Sequence, residues 1–221
     1  MKKVDTIVVA DFDGTVARRD VGFDFFVHFS GGRNSELVSI WKSGKLSTRE
    51  CLRREVALVT VNKNEINSFL DKFELDPGFG DFAALCKAED VQLAIASEGL
   101  DFYIEYLLKR HKFAHIPAAS NKAVFEGACL RIEFPYDNGD CRNCGNCKAE
   151  RIRDLKNAHG NGCRVVFIGD GYSDACATRA ADVVFAKRDL KKYCDNNKLE
   201  YHDYENFFDV AQKLTEMGVL S

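Results

Sequence analysis

The stretch TIVVADFDGT, Thr6–Thr15, joins a short apolar run to two aspartates and a glycine. The run Thr6–Ala10 has the length of a buried strand, and Asp11 and Asp13 follow it directly. A glycine after an aspartate is typical of a turn. In an open sheet of parallel strands, ligands bind beyond the carboxyl ends of the strands. The stretch therefore predicts an inner strand that ends at a polar site.

Similar apolar runs recur along the chain and alternate with stretches of helical period. The further runs are Gln92–Ala96, Arg164–Ile168 and Val183–Ala186, and each ends at a loop rich in Gly, Ser or Asp. This alternation is typical of the α/β class and predicts a Rossmann-like, doubly wound parallel sheet with helices on both faces. The stretch KAVFEGACLRIEF predicts a hairpin that turns at Glu126 and Gly127.

The long segment between the first two strands has a helical pattern. Within it, the apolar residues of Ile66–Phe73 follow the spacing of one helix face, with Asn64 as the expected N-cap. We therefore expect a helical cap domain inserted after the first strand, over residues 16–76. The core domain is expected to combine residues 1–15 and 77–221.

The composition narrows the possible classes of protein. With 221 residues, of which 46% are hydrophobic, the chain is long enough to bury a full core. A formal net charge of -3 without a long basic run argues against nucleic acid as a partner. The first apolar run is too short for a signal segment or a membrane span, so we expect a cytoplasmic protein that binds no membrane. Nine cysteines, an odd number, favour free thiols over a disulfide framework.

Three further loops carry the polar residues that a phosphoryl-transfer site needs. Ser97 follows the second strand, Lys148 opens a helical stretch, and Asp170 and Asp174 follow the third strand. Each motif alone is also common in solvated turns, but several at successive strand ends favour catalysis. Dense negative charge at a strand end requires a hard cation, and Mg²⁺ is the natural candidate.

Four motifs, DFDGT, IASEG, CKAER and GDGYSD, stand in the order found in the haloacid dehalogenase superfamily, and the sequence resembles that superfamily over its whole core. The resemblance implies a phosphatase that uses an aspartyl-phosphate intermediate. In it Asp11 is the nucleophile and Asp13 the general acid and base. The resemblance also implies a Mg²⁺ ion held by Asp11, Asp170 and the main-chain carbonyl of Asp13.

The same resemblance implies that Ser97 and Lys148 bind the phosphoryl group. It also implies that Asp174 supports either the metal or Lys148. A charge argument supports the lysine independently. Several carboxylates around a bound phosphate need a cation, and positive groups aimed at developing charge do much of the catalysis in such transfers.

The helical insertion resembles that of the branch with phosphoserine phosphatases and the phosphatases of methylthio-phosphopentane sugars in methionine salvage. Asp20 and the DFY sequence at 101–103 match the second group, and so do the cysteines ahead of the motif lysine. Asp20 and Glu55 make the expected substrate pocket acidic, which disfavours a substrate carboxylate. We therefore expect a small phosphorylated metabolite other than phosphoserine. Arg54 is a further candidate for substrate contact, although an ordinary solvated helix face explains it equally well.

Other interpretations are open. Phosphoserine phosphatase remains an alternative, and so does a phosphotransferase or mutase that uses the same aspartyl-phosphate. A dehalogenase is disfavoured by Asp13, which that chemistry does not need, and a non-catalytic binding protein is disfavoured by the complete set of motifs. Glu98 and Ser173 depart from the pattern of relatives and leave the leaving group undetermined.

The loop CRNCGNCK places Cys141, Cys144 and Cys147 at metal-ligand spacing just before Lys148. In the expected interpretation, the loop delivers Lys148 to the phosphate and the thiols are ordinary buried or loop residues. In the alternative, the three thiolates hold a structural metal. The residues considered for its fourth ligand, besides a water, are Cys129, Cys163 and His159.

Overall fold

The computed structural model describes residues 5–137, 141–160 and 162–221. Its strands are β1 (Thr6–Ala10), β2 (Gln92–Leu100), β3 (Ala118–Glu126), β4 (Cys129–Glu133), β5 (Arg164–Gly169), β6 (Val183–Ala186) and β7 (His202–Asp203). They form a seven-stranded sheet in the order β4-β3-β2-β1-β5-β6-β7. All neighbours in it are parallel except β3 and β4. The predicted α/β fold is therefore confirmed.

The helices of the described ranges lie between these strands and cover the sheet. They are α1 (Val21–Ser30), α2 (Ser35–Lys42), α3 (Thr48–Leu58), α4 (Lys63–Leu70), α5 (Phe79–Ala88), α6 (Asp101–Arg110), α7 (Lys148–His159), α8 (Arg188–Asn197) and α9 (Phe207–Glu216). The first four form the insertion that was predicted between β1 and β2. Within the described residues, no helix combines the length and the apolar character that a membrane crossing requires.

Side chains of β1 alternate between two apolar clusters, one on each face of the sheet. Ile7 and Val9 contact a cluster that includes Ile152 of α7 and Leu190 of α8. Val8 belongs to a larger cluster that includes residues of α5, α6, α9 and the insertion. Because successive side chains of a strand point to opposite faces, a strand covered on both faces is apolar throughout. This double cover explains the unbroken apolar run at the start of the chain.

The register of the central strands brings the polar loops together. Ala10, the last residue of β1, pairs with Ile95 of β2 and with Ile168 of β5. Parallel strands in this register end at the same edge of the sheet. The loops that carry the predicted site residues therefore meet at that edge.

The chain enters and leaves the helical insertion through paired segments. Ala17 and Leu75 form an antiparallel bridge. The amide of Asp76 donates to the carbonyl of Val16 at 2.8 Å. The base of the insertion is thus closed by hydrogen bonds.

Three local predictions need correction. Strand β2 runs to Leu100 instead of ending at Ala96, so Ser97 lies within the strand and not in a loop after it. The N-cap of α4 is Asn62, not Asn64, because the Asn62 side-chain oxygen accepts the amide of Asn64, a free donor of the first turn. The predicted hairpin is formed by β3 and β4, but its turn lies at Gly127 and Ala128, because Glu126 still pairs with Cys129 in the ladder.

Candidate active site

The turn after β1 positions the two aspartates of the first motif. Gly14 has a φ of 73°, a left-handed conformation that glycine adopts without strain. A Cβ atom at Gly14 would also collide with the carboxylate of Asp170. The glycine of this motif therefore serves both the turn and the close approach of the β5 loop.

Lys148, the first residue of α7, is 1% exposed and lies among polar groups of two other loops. Its Nζ is 2.8 Å from Asp11 Oδ1, contacts Asp174 Oδ1, and lies 3.3 Å from Ser173 Oγ. Burial acts to lower the pKa of Lys148, but the charges of Asp11 and Asp174 outweigh it and raise that pKa well above its usual value. Lys148 is therefore a fixed cation beside Asp11.

Asp174 is fully buried and holds the lysine and its own loop at once. One oxygen pairs with Lys148, and Oδ2 accepts the amides of Asp170 and Gly171, both at 2.9 Å. The sequence offered two roles for Asp174, support of the metal or of Lys148. These contacts favour the second role.

Three carboxylates form an acidic cluster at the strand ends. Oxygen atoms of Asp11, Asp170 and Asp174 all lie within 4.8 Å of one another. Burial, followed by the charge of Asp174, raises the pKa of Asp11 well above its usual value and that of Asp170 to about 6. Burial and the neighbouring carboxylates thus disfavour the ionised forms, which a bound cation would stabilise. Hard oxygen donors in this state fit a Mg²⁺ ion, for which Asp11 and Asp170 are the candidate side-chain ligands.

Asp13 is held by three hydrogen bonds. Its Oδ1 accepts the amides of Val21 and Gly22 at 2.9 and 3.1 Å, and its Oδ2 accepts the hydroxyl of Tyr103 at 2.7 Å. Burial, followed by the charge of Asp20, raises the pKa of Asp13 to about 7. A carboxyl group with such a pKa can both give and take a proton near neutral pH.

The end of β2 contributes Ser97, which is 1% exposed and lines a cavity shared with Asp11 and Asp13. Ser97 Oγ accepts the amide of Gly99 at 2.9 Å. A Cβ atom at Gly99 would lie 2.6 Å from Asp13 Oδ2 and would collide with Tyr103. Glycine is therefore needed here for the tyrosine to reach Asp13.

Glu98, whose role the sequence left open, anchors the loop that precedes Lys148. Its Oε2 accepts the amides of Gly145 and Asn146 at 2.9 and 3.1 Å. Asn146 in turn donates to the carbonyl of Ser97 at 3.0 Å. Burial raises the pKa of Glu98 above its usual value. The second and third motifs are thus joined by hydrogen bonds that depend on a glutamate at this position.

The cavity beside Asp11 has a volume of about 290 Å³ and lies between the sheet edge and the helical insertion. Its acidic wall includes Asp20 and Glu55. Among the described residues, Lys42 is the one basic side chain that lines it. The apolar side chains of the cavity are those of Phe23, Phe26, Val38, Trp41, Leu52, Leu100 and Tyr103.

The two predicted substrate residues lie in different surroundings. Asp20 lines the cavity and also caps α1, because its Oδ1 accepts the amide of Phe23 at 2.8 Å. Burial is the main reason that the pKa of Asp20 rises to about 6. Arg54 does not line the cavity. Its guanidinium is half exposed and pairs with Glu50 one helical turn away at 2.8 Å, so its position does not support the predicted substrate contact.

Two residues of the site were not assigned from the sequence. Tyr103 entered only as part of a DFY similarity, and its hydroxyl reaches Asp13 across 90 residues of chain. Arg188 places Nη1 3.0 Å from Asp170 Oδ2 and 3.4 Å from the carbonyl of Gly14. The sequence signal for Arg188 was the AKRD stretch at the end of β6, since a basic residue there reaches the same sheet edge.

Comparison with known proteins identifies the family of the chain. A profile of haloacid dehalogenase-like hydrolases matches residues 8–179, and the chain belongs to that family. It is an enzyme of the phosphatase type, as are its full-length relatives, and enzymes of this family typically depend on Mg²⁺.

Two of these relatives carry the same name. The chain is 31% identical over 218 residues to the 2-hydroxy-3-keto-5-methylthiopentenyl-1-phosphate phosphatase of Geobacillus kaustophilus, with 97% of each chain covered. It is also 31% identical over 230 residues to the enzyme of that name from Geobacillus thermodenitrificans, with 100% of both chains covered. Among solved structures, a phospho-aspartyl intermediate analogue of phosphoserine phosphatase aligns with a TM-score of 0.75 at 18% identity, covering 96% of this chain and 99% of that one. The last similarity concerns the fold alone.

Proposed function

We propose that the protein is a Mg²⁺-dependent phosphatase of a small phosphorylated keto- or enol-sugar with an uncharged tail. The observation that carries this proposal is the cavity beside Asp11, whose wall combines apolar side chains with the carboxyl groups of Asp20 and Glu55. The curated relatives are named as phosphatases of a compound of this class, 2-hydroxy-3-keto-5-methylthiopentenyl-1-phosphate.

In the proposed reaction, a carboxylate oxygen of Asp11 attacks the phosphorus atom and the bond from phosphorus to the leaving oxygen breaks. Asp13 gives its proton to that leaving oxygen. A water molecule then gives a proton to Asp13 and attacks the phosphorus of the aspartyl-phosphate. Inorganic phosphate leaves and the carboxylate of Asp11 is restored.

The surrounding side chains prepare these two groups. Lys148, held opposite Asp11 by Asp174, offsets the charge that develops on the phosphoryl oxygens. Ser97, at the end of β2, is placed to donate its hydroxyl to a phosphoryl oxygen. Asp11, Asp170 and the main-chain carbonyl of Asp13 would hold a Mg²⁺ ion, which would supply further positive charge to the site.

Tyr103 is the proposed positioning residue for Asp13. Its buried hydroxyl donates to Asp13 Oδ2, while two main-chain amides hold the other oxygen. This arrangement fixes the orientation of the carboxyl group and leaves a single direction for proton transfer.

Residues 16–76 are proposed to act as a cap domain, because α1, α2 and α3 supply most of the cavity wall over the strand ends. A cap in this place excludes bulk water from the aspartyl-phosphate.

The charges of the cavity argue against phosphoserine as the preferred substrate. Its carboxylate would meet Asp20 and Glu55, and the one basic side chain on the described cavity wall is that of Lys42. No arginine lines the cavity among the residues that the structure describes. An enol or keto group can instead hydrogen-bond to carboxyl groups, and an uncharged tail can pack against Phe26 and Trp41.

The experiment measures phosphate release from a keto-enol pentose phosphate and from phosphoserine, with Mg²⁺ present. We expect kcat/KM for the sugar phosphate to exceed that for phosphoserine by more than about tenfold. Asp11→Asn should abolish release from both, which tests the reaction separately from the substrate. Glu55→Gln should reduce the difference in kcat/KM between the sugar phosphate and phosphoserine. Equal kcat/KM values in the wild type would refute the substrate class, and a fully active Asp11→Asn would refute the mechanism.

A further inference from the structure

Four thiols next to Lys148 form a cysteine cluster, which consists of Cys141, Cys144, Cys147 and Cys176. The sulfur atoms of the first three all lie within 4.8 Å of one another. Cys176 joins them from the loop after Asp174, with its Sγ 3.9 Å from that of Cys147. The thiol of Cys144 also interacts with Cys176. The fold thus supplies a fourth sulfur ligand that is 29 residues away from Cys147 in the sequence.

The separation of the Cys147 and Cys176 sulfur atoms agrees with a tetrahedral metal site. Four thiolates bound to Zn²⁺ at about 2.3 Å stand roughly 3.8 Å from one another. The separation of 3.9 Å between Cys147 and Cys176 is close to that value. A disulfide would hold its sulfur atoms at about 2.05 Å. All nine cysteines of the chain are free thiols.

The groups around the cysteine cluster suit negatively charged sulfur. The amide of Cys144 donates to Cys141 Sγ at 3.4 Å, and the amide of Ala149 donates to Cys176. Helix α7 begins directly after Cys147, and no side chain caps its first turn. The positive end of the helix dipole therefore faces the cluster and favours thiolates there.

The other candidates for the fourth ligand lie elsewhere. Cys129 is exposed at the start of β4, and Cys163 lies just before β5, at the opposite end of the sheet from the site. His159 is at the far end of α7, about 16 Å along the helix axis from Lys148. Cys176 is the residue that the tertiary structure brings to the three predicted cysteines.

We propose that the cysteine cluster binds one structural Zn²⁺ ion through four thiolates. All four cysteines bind as thiolates, those that are protonated release their protons, and no open position remains on the metal, as in structural zinc sites generally. The proposal concerns metal binding alone and does not depend on the reaction at Asp11.

The position of the cluster indicates what the ion does. Cys147 directly precedes Lys148, and Cys176 follows Asp174 by two residues. A Zn²⁺ ion therefore ties together the two segments whose side chains form the buried Lys148–Asp174 pair. This tie holds the ammonium group in place from both sides.

Arg49 connects the cysteine cluster to the helical insertion. From α3, its guanidinium donates to the carbonyl of Cys144 at 2.8 and 3.0 Å and to that of Cys141 at 3.1 Å. The same guanidinium pairs with Asp137 at 2.6 Å. The metal site thus lies where the core, the lysine loop and the insertion meet.

The test begins with metal analysis of the untagged, full-length protein grown with zinc in the medium. We expect about one Zn²⁺ per chain, released when the thiols are titrated with an organomercurial. Replacement of the zinc by Co²⁺ should produce the absorption spectrum of a tetrahedral tetrathiolate site. Cys176→Ser should lose most of the bound zinc on dialysis against a chelator and should melt at a lower temperature. The matched control Cys163→Ser, also half-buried, should keep both.

Several outcomes would overturn the proposal. They are a wild-type protein with less than about a tenth of an equivalent of zinc, a cobalt spectrum with fewer than four thiolates, and Cys176→Ser protein that retains wild-type zinc. The wild-type measurements decide the matter even if Cys176→Ser fails to fold. Asp11→Asn should keep its zinc, so a failure of the proposed reaction is distinguishable from a failure of the metal site.

Discussion

Replacement of Lys148 by methionine tests the electrostatic core of the site. The substitution keeps an unbranched side chain that is one heavy atom shorter but removes the cation, so Asp11 and Asp174 lose their buried partner. Breaking a buried ion pair by removing one partner costs about 3–5 kcal/mol. For a chain of 221 residues, this loss corresponds to a fall in melting temperature of about 6–20 °C. Loss of a cation aimed at the phosphoryl oxygens should lower kcat/KM by roughly 10²- to 10³-fold.

The matched control is Lys156→Met on the same helix. Lys156 pairs with Asp182 at 2.9 Å near the surface, and such pairs contribute about 0–1 kcal/mol. Its melting temperature and activity should stay close to those of the wild type. The assay combines thermal unfolding with phosphate release at saturating Mg²⁺. A decrease in kcat/KM of less than about tenfold in Lys148→Met, or an equal loss of stability in both variants, would refute the reasoning.

Two other substitutions probe contacts that hold the site in shape. Tyr103→Phe removes the hydroxyl that orients Asp13, and it should lower kcat by about tenfold or more with little change in KM. The control Tyr106→Phe, on the same helix, loses only a surface hydrogen bond and should have the steady-state kinetics of the wild type. Glu98→Ala leaves the buried amides of Gly145 and Asn146 without an acceptor, at roughly 1–3 kcal/mol each. Its melting temperature should therefore fall well below that of Glu98→Gln, whose side chain keeps one acceptor oxygen. Equal melting temperatures in the two variants would contradict the anchoring role.

The sequence alone predicted the features that depend on neighbouring residues. The limits of β1 and β6, the parallel sheet and the helical insertion follow from local apolar patterns and their order. Asp11, Lys148 and Asp170 could be selected because each stands at the end of a strand or at the start of a helix. Once the strands are parallel and in register, such positions converge at one edge of the sheet, so no long-range information is needed to propose that they meet.

Only the tertiary structure decided which side chains form pairs across the chain. The Tyr103–Asp13 hydrogen bond spans 90 residues and that from Gly145 to Glu98 spans 47. The local sequence pattern does not predict such pairs, because they depend on the rotation of a helix on the sheet and on the path of a loop. For the same reason the sequence pointed to Cys129, Cys163 or His159 as partners of the cysteine loop, whereas packing of the β5 loop against the start of α7 brings in Cys176. Arg54 shows the converse: its charge suggested a substrate contact, and the orientation of α3 directs it toward Glu50 instead.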